Sequence, residues 1–255
     1  VNWNYEDRTM PGTFNYILHN DYNDKVVNVS VLNEHRFAFY YWTKWASLQA
    51  ENVPSTLVSL DWHQDLAPLS EMECDDLTAL NRDDFNEVGI FTAYKLNPCN
   101  DGQILAAAYL NLVSKIYVLC KQREYDDIFP FTDYLGKKHN GKVFYTIDEL
   151  IDCLKKDDIN SIYFDIDLDY FTESKDACGG GVDVKLVNDE EVVKTISPHS
   201  PLMQLILPKL KGMTIALEPD FCGGLRNSNH LFNILDNNLF YPTLLNELQI
   251  ECSLR

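Results

Sequence analysis

Basic residues are scarce in this chain: 21 Lys and Arg stand against 39 Asp and Glu, a formal net charge of −18 at pH 7. Such a charge repels nucleic acid and anionic membrane surfaces at long range and favours a cationic partner. No apolar run reaches the roughly 18 residues of a membrane-spanning helix, and Val1-Asn2-Trp3-Asn4 lacks the basic-then-apolar profile of a signal peptide. A cytoplasmic protein is expected, in contact with neither nucleic acid nor membrane. The cysteines, at 74, 99, 120, 153, 178, 222 and 252, contain no C-x-x-C pair. That spacing argues against a zinc cluster or a disulfide framework and for reduced, buried thiols. No GxGxxG is present, and no Lys-Ser/Thr follows Gly179-Gly180-Gly181, so these glycines read as a hairpin or mobile loop and not as a phosphate cradle. Repeats, low-complexity tracts and Pro/Ser-rich linkers are also missing, and residues 1–255 read as one domain.

What is present is apolar material for a continuous core (45% hydrophobic) and an alternation of strand and helix signals. Strands are expected over Val26 to Leu32, Thr56 to Leu60, Lys115 to Cys120, Ser161 to Leu168 and Met213 to Leu217. Helices are expected over Arg36 to Leu48, Gln103 to Val113, Thr146 to Lys155 and Asn227 to Leu239, with another opened by Ser200-Pro201. Thr146 and Glu149 have capping-box spacing, and Ser200-Pro201 pairs an N-cap residue with proline at the first helical position. This order predicts an α/β fold, with a mainly parallel sheet covered by helices on both faces.

Functional groups in such folds collect beyond the carboxyl ends of the strands, and three of these strands end in acid: Asp61, Asp165 and Glu218. The segments Asp61-Trp62-His63-Gln64-Asp65 and Asp165-Ile166-Asp167-Leu168-Asp169 place carboxylates and an imidazole at alternate positions behind apolar runs. Alternate residues of a strand share a face about 6 to 7 Å apart, close enough to converge on an ion. Burying so many charges is costly unless divalent cations offset them. Four aspartates with one or two histidines form a hard, oxygen-rich donor set that suits Mn(II) or Fe(II) better than structural zinc. A two-metal site balances the carboxylates better than a single ion.

These residues carry a resemblance. Asn33-Glu34-His35, Ser59-Leu60-Asp61-Trp62-His63-Gln64-Asp65, Phe164-Asp165-Ile166-Asp167-Leu168-Asp169-Tyr170-Phe171 and Leu217-Glu218-Pro219 resemble the arginase and ureohydrolase superfamily, and within it an arginase-like family that includes bacterial peptide arginases. The resemblance spans residues 26 to 240 and lies in the motifs, not in the loops between them. It implies a three-layer αβα sandwich with a dimanganese centre, acting on arginine side chains of a ribosomally made precursor peptide to leave ornithine and urea. Carried over, it puts His35, Asp61, Asp65 and Asp165 on one manganese, and Asp61, His63, Asp165 and Asp167 on the other, with Asp61 and Asp165 bridging. Glu218 matches the carboxylate that holds the guanidinium, a task that suits a carboxylate facing a planar fork of donors. Gly223 and Gly224, just beyond it, offer a flexible loop where substrate backbone can approach.

Each residue also has a plainer reading. Alone, His35 reads as a core histidine before an aromatic helix, Glu218 as a loop carboxylate, and Cys222-Gly223-Gly224 as a turn. Asp169 continues the face of Asp165 and Asp167 and is expected to orient a ligand. Ordinary arginases have a histidine shortly after the first aspartate motif for proton transfer; here none occurs between His63 and His139, and His199 and His230 are the candidates for that role. Two competing functions are a deacetylase-like amide hydrolase, weakened by the lack of a His-His pair, and a metal-stabilised module that binds cationic peptides without catalysis.

Overall fold

The computed structural model describes residues 10–48, 53–123, 128–176, 178–181, 183–241 and 253–254; the segment Val1 to Asn4 and Cys252, both used above, lie outside them. Its strands are β1 (Phe14–Asn20), β2 (Lys25–Leu32), β3 (Ser55–Leu60), β4 (Val113–Leu119), β5 (Ile128–Thr132), β6 (Lys138–Phe144), β7 (Ile162–Asp167), β8 (Thr172–Glu173), β9 (Lys185–Leu186), β10 (Leu210–Ala216), β11 (Phe240–Tyr241) and β12 (Ser253–Leu254). The helices are α1 (Ala38–Ser47), α2 (Glu71–Ala79), α3 (Phe85–Tyr94), α4 (Gln103–Tyr109), α5 (Ile147–Lys156), α6 (Asp189–Ile196), α7 (Met203–Ile206) and α8 (Leu225–Leu239).

The main sheet runs β1-β2-β10-β7-β3-β4-β6-β5, with the short β12 and β11 added beyond β1. From β2 to β6 every neighbouring pair is parallel, and antiparallel β1 and β5 lie at either side of that parallel block. Alternation along each strand splits the core between the two faces. Leu57, Ile116, Val118 and Tyr163 pack against α1 to α4, while Val58, Leu60, Ile162, Phe164, Ile166, Met213 and Ile215 pack against α5 to α8. The expected three-layer αβα sandwich with a mainly parallel sheet is what the molecule adopts.

Several boundaries differ from expectation, each for a local reason. The helix from Gln103 stops at Tyr109, short of Val113, because Asn111 turns left-handed (φ 55) and the Leu112 N–H closes back on the Ala107 carbonyl at 2.9 Å. β4 therefore starts at Val113 and not at Lys115. Thr146 and Glu149 do form a capping box on α5. The Ser200 hydroxyl accepts from the Met203 N–H at 3.2 Å, yet Pro201 sits in a turn and α7 is a single turn of helix. β8 and β9 pair antiparallel on either side of Gly179-Gly180-Gly181, which gives those glycines the expected hairpin setting.

One consequence of the strand order governs the rest. β2, β3, β7 and β10 are scattered along the chain but stand side by side as β2-β10-β7-β3, all pointing the same way. From β3 the chain steps outward to β4 and β6, then returns to β7 and β10 on β3's other flank. A crevice opens at such a switch point, beyond the carboxyl ends of the strands.

Candidate metal centre

Each of those four strands delivers one acidic or histidine segment to the crevice. His35 begins a single 3-10 turn just after β2, Asp61 follows β3, Asp165 and Asp167 end β7, and Glu218 follows β10. On β3, the residues Leu57, Ser59 and Asp61 share a face by alternation; on β7, so do Tyr163, Asp165 and Asp167. Leu57 and Tyr163 pack under α1 to α4, so the carboxylates open toward that layer. Asp61, Asp65, Asp165, Asp167, Asp169 and Glu218 are all buried, as is His35.

The imidazole of His35 stands at the centre. Its Nδ1 lies 2.8 Å from Asp65 Oδ2, 3.1 Å from Asp167 Oδ2 and 3.3 Å from Asp61 Oδ2, while its Nε2 lies 2.8 Å from Asp165 Oδ2. Ser59 Oγ donates to Asp165 Oδ2 at 2.8 Å, and Thr214 Oγ1 donates to Asp165 Oδ1. The sheet register makes this possible, for Ser59 and Thr214 flank Asp165 directly on β3 and β10. Asp165 thereby accepts from two hydroxyls and meets the His35 ring at Nε2, leaving Nδ1 to face three carboxylates.

His63 repeats the design beside it. Its Nδ1 lies 3.1 Å from Asp169 Oδ2 and 3.5 Å from Asp61 Oδ1. Its Nε2 lies 2.7 Å from the Cys178 carbonyl, which only accepts, so Nε2 carries a proton. Despite burial, Asp169 and Asp61 hold a second proton on Nδ1 by raising the imidazole well above its ordinary value, and a cation among these carboxylates would take that proton's place. A ring nitrogen anchored to a backbone carbonyl, with the other turned to a cluster of carboxylates, is the usual setting of a histidine ligand. Gly179 keeps this contact close: at φ 69 a side chain there would be strained, and its Cβ would sit 3.0 Å from Trp62 and 3.1 Å from His63 Nε2.

Two sets of ligand atoms converge within 4.8 Å of one another, one from His35, Asp61 and Asp65 and one from Asp61, His63 and Asp169. Asp61 belongs to both. Asp169, expected only to orient a ligand, stands instead among the converging donors, its Oδ1 accepting from the Trp62 N–H at 3.0 Å. Asp165, expected to bridge, makes its contacts to Ser59, Thr214 and His35. Asp167 keeps company with His35 Nδ1, and its Oδ1 accepts from the Asp169 N–H at 3.1 Å.

The electrostatics call for cations. Burial, then the charge of Asp61, pushes the Asp65 and Asp169 carboxyls upward, and burial with Asp169 and Asp61 nearby does the same to Asp167. Burial alone would also raise Asp61, but its contacts with His35 and His63 outweigh that and lower it. His35 Nδ1, Asp61 Oδ2 and Asp169 Oδ2 are buried without a hydrogen-bond partner. Orphaned atoms of this kind are costly unless something binds them. The donor set, rich in oxygen with two imidazole nitrogens, fits a divalent ion, so the cluster of His35, Asp61, Asp65, Asp165 and Asp167 can hold a metal.

Glu218 lies at the edge of this cluster. Its Oε1 accepts from the His35 N–H at 2.8 Å and from Asn100 Nδ2 at 2.6 Å. Burial pushes its carboxyl up to about 7, against the opposing pull of His35 and its N–H. Glu218 has φ 33, and two other site residues, Asp65 and Asn100, also have left-handed backbones at φ 52 and φ 60. Non-glycine residues avoid that region, and its concentration here is the strain typical of functional sites.

Glu218, His63, Asp65, Asp167, Asn100, Asp101 and Phe221 line a cavity of about 280 Å³. Gly223 and Gly224 are not part of its wall; Gly224 instead leads into α8, its N–H bonded to the Pro219 carbonyl at 2.7 Å. His199 is exposed, and the largely exposed His230 bonds Asp189 at 2.9 Å, so neither reaches the cavity. Sequence reasoning missed Asn100, Asp101 and Gln103, whose side-chain amide donates to Asp65. It also missed Ser59, although alternation put that residue on the same face as Asp61. No family model matches this chain, and no curated protein matches it.

Among the described residues no helix is long and apolar enough to cross a membrane.

Proposed function

We propose that this protein is a dimanganese hydrolase that converts arginine in a peptide to ornithine and urea. The observation that carries this reading is the placement of Glu218: a buried carboxylate with one oxygen uncommitted, on the wall of a cavity that His63, Asp65 and Asp167 also line. A carboxylate whose burial costs free energy is relieved by a cation, and a guanidinium can direct N–H donors to the free oxygen of Glu218 while its charge offsets the carboxylate's. The cavity of about 280 Å³ has room for a guanidinium and the methylenes that carry it. The acidic surface favours a cationic peptide at longer range.

In this reading His35, Asp61, Asp65 and Asp167 hold one ion, and Asp61, His63 and Asp169 hold the other. Two such ions, when bound, supply Lewis acidity and lower the pKa of water near neutrality. Asp165 keeps the His35 ring in register and the Cys178 carbonyl does the same for His63, and bound ions would displace the Nδ1 protons that the carboxylates otherwise hold on both imidazoles. Glu218 orients the guanidinium plane across the cavity from the carboxylates, and the pocket limits competing water. The net reaction adds one water to the guanidinium carbon, breaks its bond to the side-chain nitrogen, and leaves a protonated amine and urea.

Incubating manganese-loaded protein with an arginine-containing peptide should lower the peptide mass by about 42 Da per converted residue, with urea in equal amount. Glu218→Gln should retain its bound manganese and lose about 100-fold or more in kcat/KM, because the neutral amide cannot form the charge-assisted hydrogen bonds of a carboxylate. Acetyl release from an acetylated peptide without urea would replace this reading with an amide hydrolase, and an unchanged rate for Glu218→Gln would remove Glu218 from it.

A further inference from the structure

The cavity wall holds acceptors that the metal-ligand set does not use. Asn100 Nδ2 donates to Glu218 Oε1 at 2.6 Å, which fixes the amide: turned over, it would press its oxygen against a carboxylate oxygen. Asn100 Oδ1 is then buried with no partner, and the neighbouring Asp101 Oδ1 is buried with no partner as well. Both residues line the same cavity as Glu218. Their position is built and not incidental. Asn100 holds a left-handed backbone at φ 60, the Asp101 carbonyl accepts from the Ala67 N–H at 2.9 Å, and Asn97 bonds the Asp101 side chain.

A guanidinium offers five N–H donors, and the one free oxygen of Glu218 can engage at most two of them. We infer that Asn100 and Asp101 take up remaining donors, forming with Glu218 an acceptor array that selects a planar cation and rejects its neutral ureido counterpart. The two head groups share shape, so size cannot separate them. Charge and hydrogen-bond polarity can: a ureido carbonyl in place of an N–H₂ group would turn an acceptor toward acceptors, and site groups left unpaired discriminate strongly. Asp101 acts here on binding and not on the bond that breaks. This inference rests on the guanidinium reading of Glu218, but not on hydrolysis.

The test uses manganese-loaded protein and two peptides identical except for arginine or citrulline at one position. Fluorescence anisotropy gives Kd for each at low temperature, mass spectrometry reports any conversion, and metal analysis accompanies every variant. Wild type should bind the arginine peptide at least about 10-fold more tightly than the citrulline peptide, and Asp101→Asn should erase most of that ratio while keeping its metal. Asp101→Ser should do the same, which separates charge from an amide-specific effect. Equal discrimination in wild type and both Asp101 variants overturns the inference and leaves the hydrolase reading standing. Discrimination that depends on Asp101 without urea release sustains the inference and ends the hydrolase reading. A wild type that binds both peptides alike overturns the acceptor array and the guanidinium role of Glu218 together.

Discussion

Replacing Asp167 by Asn separates a metal centre from a merely acidic core, because the two predict effects of opposite sign. Asp167 is buried, 3.1 Å from His35 Nδ1, and burial together with Asp169 and Asp61 pushes its carboxyl well above the usual range. With chelator present the amide removes an unfavourable buried charge while keeping the oxygen that accepts the Asp169 N–H. The chelated variant should therefore melt at or slightly above chelated wild type, by about 1 to 2 kcal/mol at most. With manganese the sign reverses. One ion at 100 times its Kd contributes about 2.7 kcal/mol, so two occupied sites contribute about 5 kcal/mol. For a protein of this size that corresponds to a melting shift of about 10 to 20 °C. Asp167→Asn should forfeit the share of the ion it helps to hold, roughly half.

Differential scanning fluorimetry with EDTA, Mn(II) and Mg(II) reads all of this. The pH dependence has a defined direction too. A carboxyl raised in the folded state costs stability above its unfolded pKa and costs nothing below it, so the gap between chelated variant and chelated wild type should close as pH falls from 7 toward about 4. Equal loss of stability in EDTA and in manganese, or a wild type whose melting point ignores manganese, would refute the reasoning.

Two further outcomes follow from the geometry. Thr214→Val removes a hydroxyl that donates to the fully buried Asp165 and nothing of its shape, so it should cost about 1 to 3 kcal/mol, read as a lower urea midpoint at constant slope; an unchanged midpoint would show that Asp165 does not depend on that donor. Alkylation at pH 8 should label the exposed Cys99 and Cys178 at the cavity rim, while Cys120, whose thiol burial pushes up to about 12, stays unmodified until the protein unfolds. Labelling of native Cys120, found by peptide mapping, would contradict its burial.

Much of the architecture is legible in the chain because the central strands are apolar on both faces and their helices carry clear caps. β3, β7 and β10 announce themselves this way, and Thr146 with Glu149 marks α5. The segments that escaped are those with weak periodicity. Helix α2 buries only Leu77, although Ser70 and Glu73 spell a capping box that could have revealed it. Strands β5 and β6 form a largely exposed hairpin, and β1 carries exposed Phe14 and Ile17 that blur its alternation. At the site, the acidic ends of β3, β7 and β10 were readable because an uncompensated carboxylate behind an apolar strand needs an explanation. Asn100 and Asp101 were not, since an Asn-Asp-Gly stretch looks like any turn until its neighbours are known.

Composition and alternation alone thus determined a doubly covered parallel sheet, a strongly acidic surface and a set of carboxylates displayed at strand ends. They did so because burial pattern, charge and strand period are local properties of the chain. Only the tertiary structure decided that β10 inserts between β2 and β7, which sets Glu218 beside His35 and Thr214 beside Asp165. It also set Asp169 among the converging donors and supplied Asp165 with hydroxyls from both neighbouring strands, because which groups meet a carboxylate depends on neighbours 49 to 107 residues away in the chain.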